Sequence, residues 1–172
     1  VLRNEFTDIF LQDFKRYIDD FLGIWIPDPD PVLDNQLWLT FQMRMNSYHG
    51  LQWEFGPRTS TVDFLDLTIT ISDGKFCTDL YEKSLNLYQY IPPLSAHPPG
   101  VLTGLIMGNC HRIYTLVSSK YNQKKHLNRF YNRLQHRGYS KRDILPIFKR
   151  AATRHTVNST TPISPETRCT NN

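Results

Sequence analysis

The pattern of apolar and polar positions divides the chain into a β-rich front half and a helical back half. Five short runs of aromatic, β-branched or alternating residues predict strands over residues 16–18, 21–26, 51–55, 62–71 and 76–81. From residue 99 to 150 the apolar positions recur at helical spacing, with a stop at Gly138 and a new N-cap at Ser140. The order of these elements predicts an α+β fold.

A helix is predicted directly after the proline-rich turn that closes the second strand. Asp30 stands at the N-cap position and Pro31 at the first helical position. Apolar residues then recur every four positions and predict an amphipathic helix over roughly residues 31–48 that covers one face of a sheet: Leu33, Leu37, Phe41 and Met45. Mixed apolar spacing predicts a further short helix over residues 3–13.

Two turn signals lie between predicted strands of the β-rich half. Asp73-Gly74 between two β-rich runs is a strong hairpin signal. The adjacent pair Asp19-Asp20 lies between the first two predicted strands, which places two carboxylates at the tip of a hairpin. Asp is common in turns for conformational reasons alone. The alternative is a bound cation, for which Mg²⁺ is the natural candidate because it prefers oxygen ligands.

Charge is distributed very unevenly along the 172 residues. Through Tyr90 there are seven Lys and Arg against fourteen Asp and Glu, whereas from Ile91 onward there are thirteen against two. An acidic front half and a basic back half fit a metal-binding module joined to a polyanion-binding one. The alternative is that the basic half is only solvated surface.

Composition limits the remaining possibilities. A hydrophobic content of 40% predicts a packed globular protein. Without a membrane-length apolar run or a signal-like segment, we expect an intracellular protein, nuclear or cytoplasmic and not secreted. The three cysteines are odd in number and far apart in sequence, so we expect them to be reduced. Residues 153–172 are rich in Thr, Ser, Asn and Pro and are expected to form a disordered tail.

Several segments resemble reverse transcriptases of retroelements. Arg-Tyr-Ile-Asp-Asp-Phe at residues 16–21 resembles motif C of the polymerase palm, and Phe-Leu-Asp-Leu at 64–67 is similar to the signature of its primer-grip region. Segments near residues 83–84, 95–98 and 137–139 are similar, in this order, to elements that follow the palm in Penelope-like reverse transcriptases. Lys83-Ser84-Leu85 and Arg137-Gly138-Tyr139-Ser140 depart from that pattern in detail.

The resemblance implies a fold and a domain organisation. Residues 1–90 would form part of a polymerase palm, with antiparallel hairpins and one packing helix, and carry motifs C, D and E. Residues 91–152 would form an all-helical, basic region that is thumb-like or helix-turn-helix-like. Residues 153–172 would follow as the disordered tail.

The resemblance also implies roles for individual residues. Asp19 and Asp20 would be the catalytic metal ligands of a two-metal Mg²⁺ site, and Tyr17 would lie near the primer terminus. Phe64, Leu65 and Asp66 would contact the primer. Eight basic residues would contact the nucleic-acid backbone: Lys83, Arg112, Lys120, Lys124, Lys125, Arg129, Arg133 and Arg137.

Two functional hypotheses follow. In the first, the chain is the C-terminal part of an RNA-directed DNA polymerase that acts on an RNA template and a DNA primer. No segment before residue 14 is long enough to supply motif A and the fingers, and Arg58 is not expected to serve as the motif D proton donor, so we expect no polymerisation by this chain alone. In the second, the chain is an inactive or domesticated remnant that binds nucleic acid through its basic helices. An unrelated α+β domain with an accidental Tyr-x-Asp-Asp is the third alternative.

Overall fold

The chain forms two compact units. The computed structural model describes residues 11–47 and 50–159. The described residues up to Thr59 form the first unit, and those from Ser60 onward form the second. The sequence predicted a domain boundary at residue 90, whereas the first compact unit ends at Thr59. The difference arises because the second sheet packs with the helices. The expected α+β class is confirmed: the described chain contains two small antiparallel sheets and four helices.

The first unit opens with a two-stranded hairpin. Strand β1 (Leu11–Tyr17) pairs antiparallel with β2 (Asp20–Trp25), and Tyr17 lies opposite Asp20 across a two-residue turn. The predicted hairpin is therefore present. Its first strand is longer than the predicted 16–18, and its second strand begins and ends one residue earlier than the predicted 21–26. The predicted helix over residues 3–13 is wrong for 11–13, which belong to β1, and its remainder lies outside the described residues.

Helix α1 (Pro31–Asn46) follows the hairpin as predicted. The Asp30 carboxylate accepts a hydrogen bond from the Val32 N–H at 2.9 Å, so Asp30 is the N-cap. Phe41 is buried, but Leu33 is 42% exposed. The predicted apolar stripe is thus only partly buried. The buried part is the one whose aromatic side chains pack on β2.

An aromatic cluster with one buried carboxylate forms the interior of the first unit. The Trp25 ring meets the Trp38 ring at 5.1 Å between centroids. The Trp25 indole N–H donates to Asp34 at 2.8 Å, and the Arg58 guanidinium pairs with the same carboxylate at 2.7 Å. Arg58 also lies over the Trp38 ring, 5.1 Å from its centroid. This arginine therefore has a structural role in the unit.

Residues 51–55 form no strand, contrary to the prediction. Trp53 and Phe55 are nevertheless half-buried, and both present their rings to Phe21, at 5.1 and 5.5 Å between centroids. The alternation of apolar and polar residues is thus real, but it serves side-chain packing on β2. No backbone ladder is recorded for this segment.

The second unit begins with a three-stranded antiparallel sheet. Its strands β3 (Thr61–Phe64), β4 (Leu67–Ser72) and β5 (Lys75–Leu80) lie in chain order. The Asp73-Gly74 hairpin is confirmed, and both residues have positive φ, 52° and 70°. The run predicted as one strand over 62–71 is two strands, separated at Leu65, whose φ is 56°.

Three helices complete the second unit: α2 (Val101–Leu116), α3 (Lys120–His136) and α4 (Lys141–Ser159). Gly138, with a φ of 102°, lies in the turn before α4, and the Ser140 hydroxyl accepts from the Asp143 N–H at 3.2 Å. The predicted helix stop at Gly138 and the predicted N-cap at Ser140 are both confirmed. The expected tail is wrong for residues 153–159, which continue α4, where the His155 ring stacks on Tyr114 at 4.4 Å.

The helices share one core and connect to the sheet. Ile106, Leu134 and Ile144 come from the three helices and are completely buried. Between α2 and α3, the Ser118 N–H donates to the Thr78 carbonyl oxygen of β5, and the Ser118 hydroxyl accepts from the Thr78 N–H, both at 2.9 Å. Sheet and helices therefore form a single unit.

The cysteines of the second unit differ from each other. Cys110 is a free thiol in the core, where burial raises its pKa to about 12. Cys77 on β5 is disulfide-bonded, so the expectation of a reduced cysteine is wrong at this position.

Candidate nucleic-acid interface and acidic hairpin

The tip of the first hairpin presents the two carboxylates that the sequence singled out. Asp19 lies in the turn and Asp20 begins β2, and both are exposed. The turn begins with Ile18 at a φ of 51°, a conformation that costs a β-branched residue about 1–2 kcal/mol. The Arg16 guanidinium donates to the Ile18 carbonyl oxygen at 2.9 Å and holds this turn. Tyr17, at the end of β1, is 57% exposed.

The acidic tip has the donor chemistry that Mg²⁺ prefers, but only part of a ligand set. Asp19 and Asp20 offer carboxylate oxygens that face solvent. Among residues 11–47 and 50–159, no group of three or more His, Cys, Asp or Glu side chains is placed so that it could hold a metal. The two aspartates could therefore contribute to a cation site without completing one by themselves.

The residues expected at a primer grip lie together where β3 turns into β4. Phe64 is half-buried, whereas Leu65 and Asp66 are exposed. Asp66 pairs with Arg112 of α2 at 2.8 Å, an exposed ion pair of small energetic value. The three residues are contiguous in space, but one of them is already engaged by a cation that was expected to bind phosphate.

The eight basic residues fall into two groups. Arg112, Arg129 and Arg133 form ion pairs within the unit, and Arg137 donates to the Tyr90 carbonyl oxygen at 2.6 Å. The remaining four are exposed lysines with no recorded partner among the residues that the structure describes: Lys83, Lys120, Lys124 and Lys125. Their ammonium groups are therefore available to an external anion.

Glu82 joins the two arginines of α3. Arg129 donates to its carboxylate at 2.6 Å, and Arg133 contributes two hydrogen bonds at 3.0 and 3.1 Å. Partial burial acts to raise the pKa of Glu82, but Arg133 and Arg129 outweigh it and hold this pKa below the usual glutamate value. The Arg133 guanidinium also stacks on the Tyr88 ring, 3.4 Å from its centroid.

Asp79 of β5 holds the inner face of α3. His126 is buried, and its Nε2 lies 2.7 Å from an Asp79 carboxylate oxygen. The Asn122 side-chain amide donates to the other Asp79 oxygen at 2.9 Å. Asp79 and Glu82 thus fix the rotation of α3 about its axis, and so determine which of its side chains face solvent.

The outer face of α3 is polar, basic and free of acids. Six of its residues lie within roughly 100° on a helical projection, and all are exposed: Tyr121, Lys124, Lys125, Asn128, Asn132 and Gln135. Tyr121 is 73% exposed. The buried residues Gln123, His126, Phe130 and Leu134 lie on the opposite side of the helix. Sequence reasoning found the lysines of this face but not its tyrosine or its amides.

Helix α4 carries further basic residues that were not among the candidates. Five exposed Lys and Arg side chains accompany a single acid, Asp143, on this helix: Lys141, Arg142, Lys149, Arg150 and Arg154. Their frequency over so short a stretch is a signal that the sequence already contained. The eight candidate residues end at Arg137 and therefore include none of these five.

One family model matches this helical region. Residues 89–149 match the animal helix-turn-helix domain. The match begins in the segment before α2, includes α2 and α3, and extends into α4. The turns at residues 117–119 and 137–140 have the three to four residues typical of a helix-turn-helix. No curated protein and no solved structure matches the chain.

The match agrees with the expected helix-turn-helix-like character of the region, and such domains suggest nucleic-acid binding. None of the helices over the described residues is both long enough and apolar enough to cross a membrane.

Proposed function

We propose that the helical region binds nucleic acid and that the free lysines of α3 contact its phosphates. The observation that carries this proposal is the acid-free outer face of α3, which displays unpaired ammonium groups on a helix fixed by Asp79 and Glu82. Phosphate contacts by lysine and arginine supply most of the affinity of non-specific binding. The match to the animal helix-turn-helix domain supports the same conclusion.

The charge pattern of α3 disfavours a purely solvated surface. The helix holds five Lys and Arg and no Asp or Glu. Like charges four residues apart, as in Lys120 and Lys124, destabilise a helix by about 0.2–0.5 kcal/mol per pair. Glu82 relieves the pair Arg129 and Arg133, but no acid relieves the lysines within the described chain. A polyanionic ligand accounts for this arrangement.

Salt dependence of binding to a duplex tests the proposal. The full chain should bind duplexes with an affinity that falls steeply as salt rises. The double variant Lys124→Ala, Lys125→Ala should reduce the slope of log K against log salt by about 2, since each phosphate contact contributes roughly 0.9. The matched control, Lys15→Ala with Lys75→Ala, removes the same charge outside α3. An equal loss in variant and control would refute the assignment to α3.

The acidic hairpin supports a second and more specific proposal, that the chain is the C-terminal part of a retroelement reverse transcriptase. In this proposal the helical region is the thumb-like part that holds the template–primer duplex. The observation in its favour is that Asp19 and Asp20 are both exposed at the tip of a strained two-residue turn, next to an exposed Tyr17. Turn chemistry alone explains an aspartate here but not the strained Ile18 before it.

If this second proposal holds, Asp19 and Asp20 contribute carboxylates to a Mg²⁺ site whose other ligands come from the rest of the polymerase. Bound Mg²⁺ would neutralise charge on the transferred phosphate. The tested protein must therefore carry this chain together with a motif A aspartate.

Primer extension by such a longer protein distinguishes a catalytic role of Asp19 and Asp20 from a purely conformational role in the turn. Asp19→Asn should abolish extension with little change in melting temperature, because it removes a ligand charge from an exposed position. The matched control is Asp13→Asn, an exposed acid on the same hairpin that pairs with Lys15. Extension that survives Asp19→Asn would exclude the catalytic role.

A further inference from the structure

The outer face of α3 contains a row of carboxamides whose chemistry goes beyond phosphate binding. Asn128, Asn132 and Gln135 follow one another at four and three residues, so their side chains lie in line along the helix. All three are exposed, and no hydrogen-bond partner is recorded for their amides in the described part of the chain. The other two amides of the helix both serve the fold, since Asn122 bonds Asp79 and Gln123 donates to the Val117 carbonyl oxygen.

This arrangement is unfavourable for the helix itself. Asn is among the poorer helix formers in a helix interior, by several tenths of a kcal/mol relative to Ala. Asn128 and Asn132 occupy solvent-facing positions where packing imposes no choice, and they form no recorded bond to the helix backbone. A ligand that pairs with carboxamides would account for them.

We propose that α3 enters the major groove of a duplex and that Asn128, Asn132 and Gln135 contact base edges there. This inference rests on the proposed nucleic-acid binding and adds base recognition to it. A carboxamide carries one donor and one acceptor side by side, which matches the N6 and N7 positions of adenine. Lysine contributes charge to phosphates but little sequence information.

The shape of the surface favours a duplex over a single strand. The outer face of α3 is the exposed side of a single helix whose opposite side is buried. A major groove about 12 Å wide admits a helix of about that diameter. Single-strand sites use concave, aromatic-lined grooves instead. From Asn128 to Gln135 the helix rises about 10 Å, close to the axial length of three base pairs.

The lysines are placed beside the amides on the same face. Lys124 and Lys125 lie one turn before Asn128, towards the beginning of the helix, and flank the line of the amides on both sides. Arg129 lies at the border of the face, where Glu82 holds it. The groups that suit phosphates therefore flank the line of groups that suit bases.

Selection from a randomised duplex pool with the full chain tests the inference. The wild-type protein should enrich a short motif that contains adenine. The triple variant Asn128→Ala, Asn132→Ala, Gln135→Ala should lose about tenfold or more of the preference for the enriched duplex over a scrambled one at equal salt. Alanine favours helix, so the variant should remain folded.

Two controls separate base contacts from charge. Gln36→Ala removes an exposed helical carboxamide from α1 and should leave the preference unchanged. Lys124→Ala with Lys125→Ala should weaken binding to the enriched and scrambled duplexes equally.

Three outcomes overturn the inference. The first is duplex binding without enrichment of any motif, and the second is a preference that survives the triple variant. The third is tighter binding of the single strand than of the duplex of the same sequence. Absence of salt-sensitive binding to any nucleic acid is a different result, because it refutes the proposed function from which the inference starts.

Discussion

Replacing Glu82 by glutamine keeps the size of the side chain but removes the charge that joins Arg129 and Arg133 to the loop after β5. The glutamine oxygen can still accept a hydrogen bond, whereas its NH₂ group would face a guanidinium donor. The wild-type carboxylate accepts three charge-assisted hydrogen bonds, at 2.6, 3.0 and 3.1 Å. Most of this network should be lost in the variant.

The magnitude follows from the partners and their exposure. Each hydrogen bond to a charged group contributes about 1.5–3 kcal/mol when fully buried. The side chains of Glu82, Arg133 and Arg129 are 26%, 24% and 40% exposed, so solvent screens much of this contribution. We therefore expect Glu82→Gln to lower the free energy of unfolding by about 2 kcal/mol. Thermal unfolding followed by circular dichroism should show a melting temperature lowered by roughly 4–8 °C.

The same variant should bind duplex nucleic acid more tightly. Releasing Arg129 and Arg133 from their acid leaves two more free positive charges on α3, so the affinity and its salt dependence should both rise. A loss of stability together with a gain of affinity is a signature that general damage to the fold would not give. The matched control is Asp63→Asn, which changes the net charge by the same amount on exposed β3.

The pH dependence gives an independent check. Because the folded-state pKa of Glu82 is lowered, its stabilisation is present above the usual glutamate pKa of about 4.3 and disappears as pH falls through the lowered value. The difference in free energy of unfolding between wild type and Glu82→Gln should therefore have its full value at pH 7 and should disappear in acid. A melting temperature equal to that of wild type at pH 7, or a difference independent of pH, would refute this account of the network.

Two other predictions concern local features of the units. Asp34→Asn should lower the melting temperature at neutral pH, and the deficit should vanish in acid, because hydrogen bonding from Trp25 and the charge of Arg58 lower the pKa of Asp34; a deficit that persists in acid would contradict this. Gly74→Ala should cost about 1 kcal/mol in urea unfolding because φ is 70° there, whereas Gly104→Ala in α2 should stabilise by a similar amount, since a Cβ there meets open space. Equal effects of the two substitutions would contradict the turn assignment.

Local signals predicted the elements whose geometry depends on few neighbouring residues. Asp30 and Pro31 mark the start of α1, and Asp73-Gly74 marks the hairpin between β4 and β5, because caps and tight turns are determined by the residues that form them. Ser140 marks the turn before α4 for the same reason. Each of these predictions needed only a few consecutive residues.

The errors concern features that depend on distant partners. Residues 51–55 have the alternation of a strand, but a strand also needs a neighbour with which to share hydrogen bonds, and the rings of this segment pack on Phe21 instead. The extension of α4 into polar sequence depends on contacts such as His155 with Tyr114 of α2. Composition alone contains neither contact.

The basic residues of α3 also depend on distant partners that the sequence could not predict. A run of basic residues was visible in the sequence, but its division into paired and free cations was not. Glu82 is 47 residues from Arg129 and 51 from Arg133, so their pairing depends on the packing of α3 beside β5. That packing also determines which residues of α3 face outward, and hence that Asn128 and Asn132 accompany the lysines there.

The bonds between Ser118 and Thr78 have a consequence for self-association. β5 is an edge strand of its sheet, and an exposed edge offers free backbone groups to strands of other molecules. The turn between α2 and α3 occupies both outward backbone groups of Thr78, near the middle of that edge. A fragment that ends before α2 would lose this cover, so it should aggregate by strand addition where the intact second unit does not.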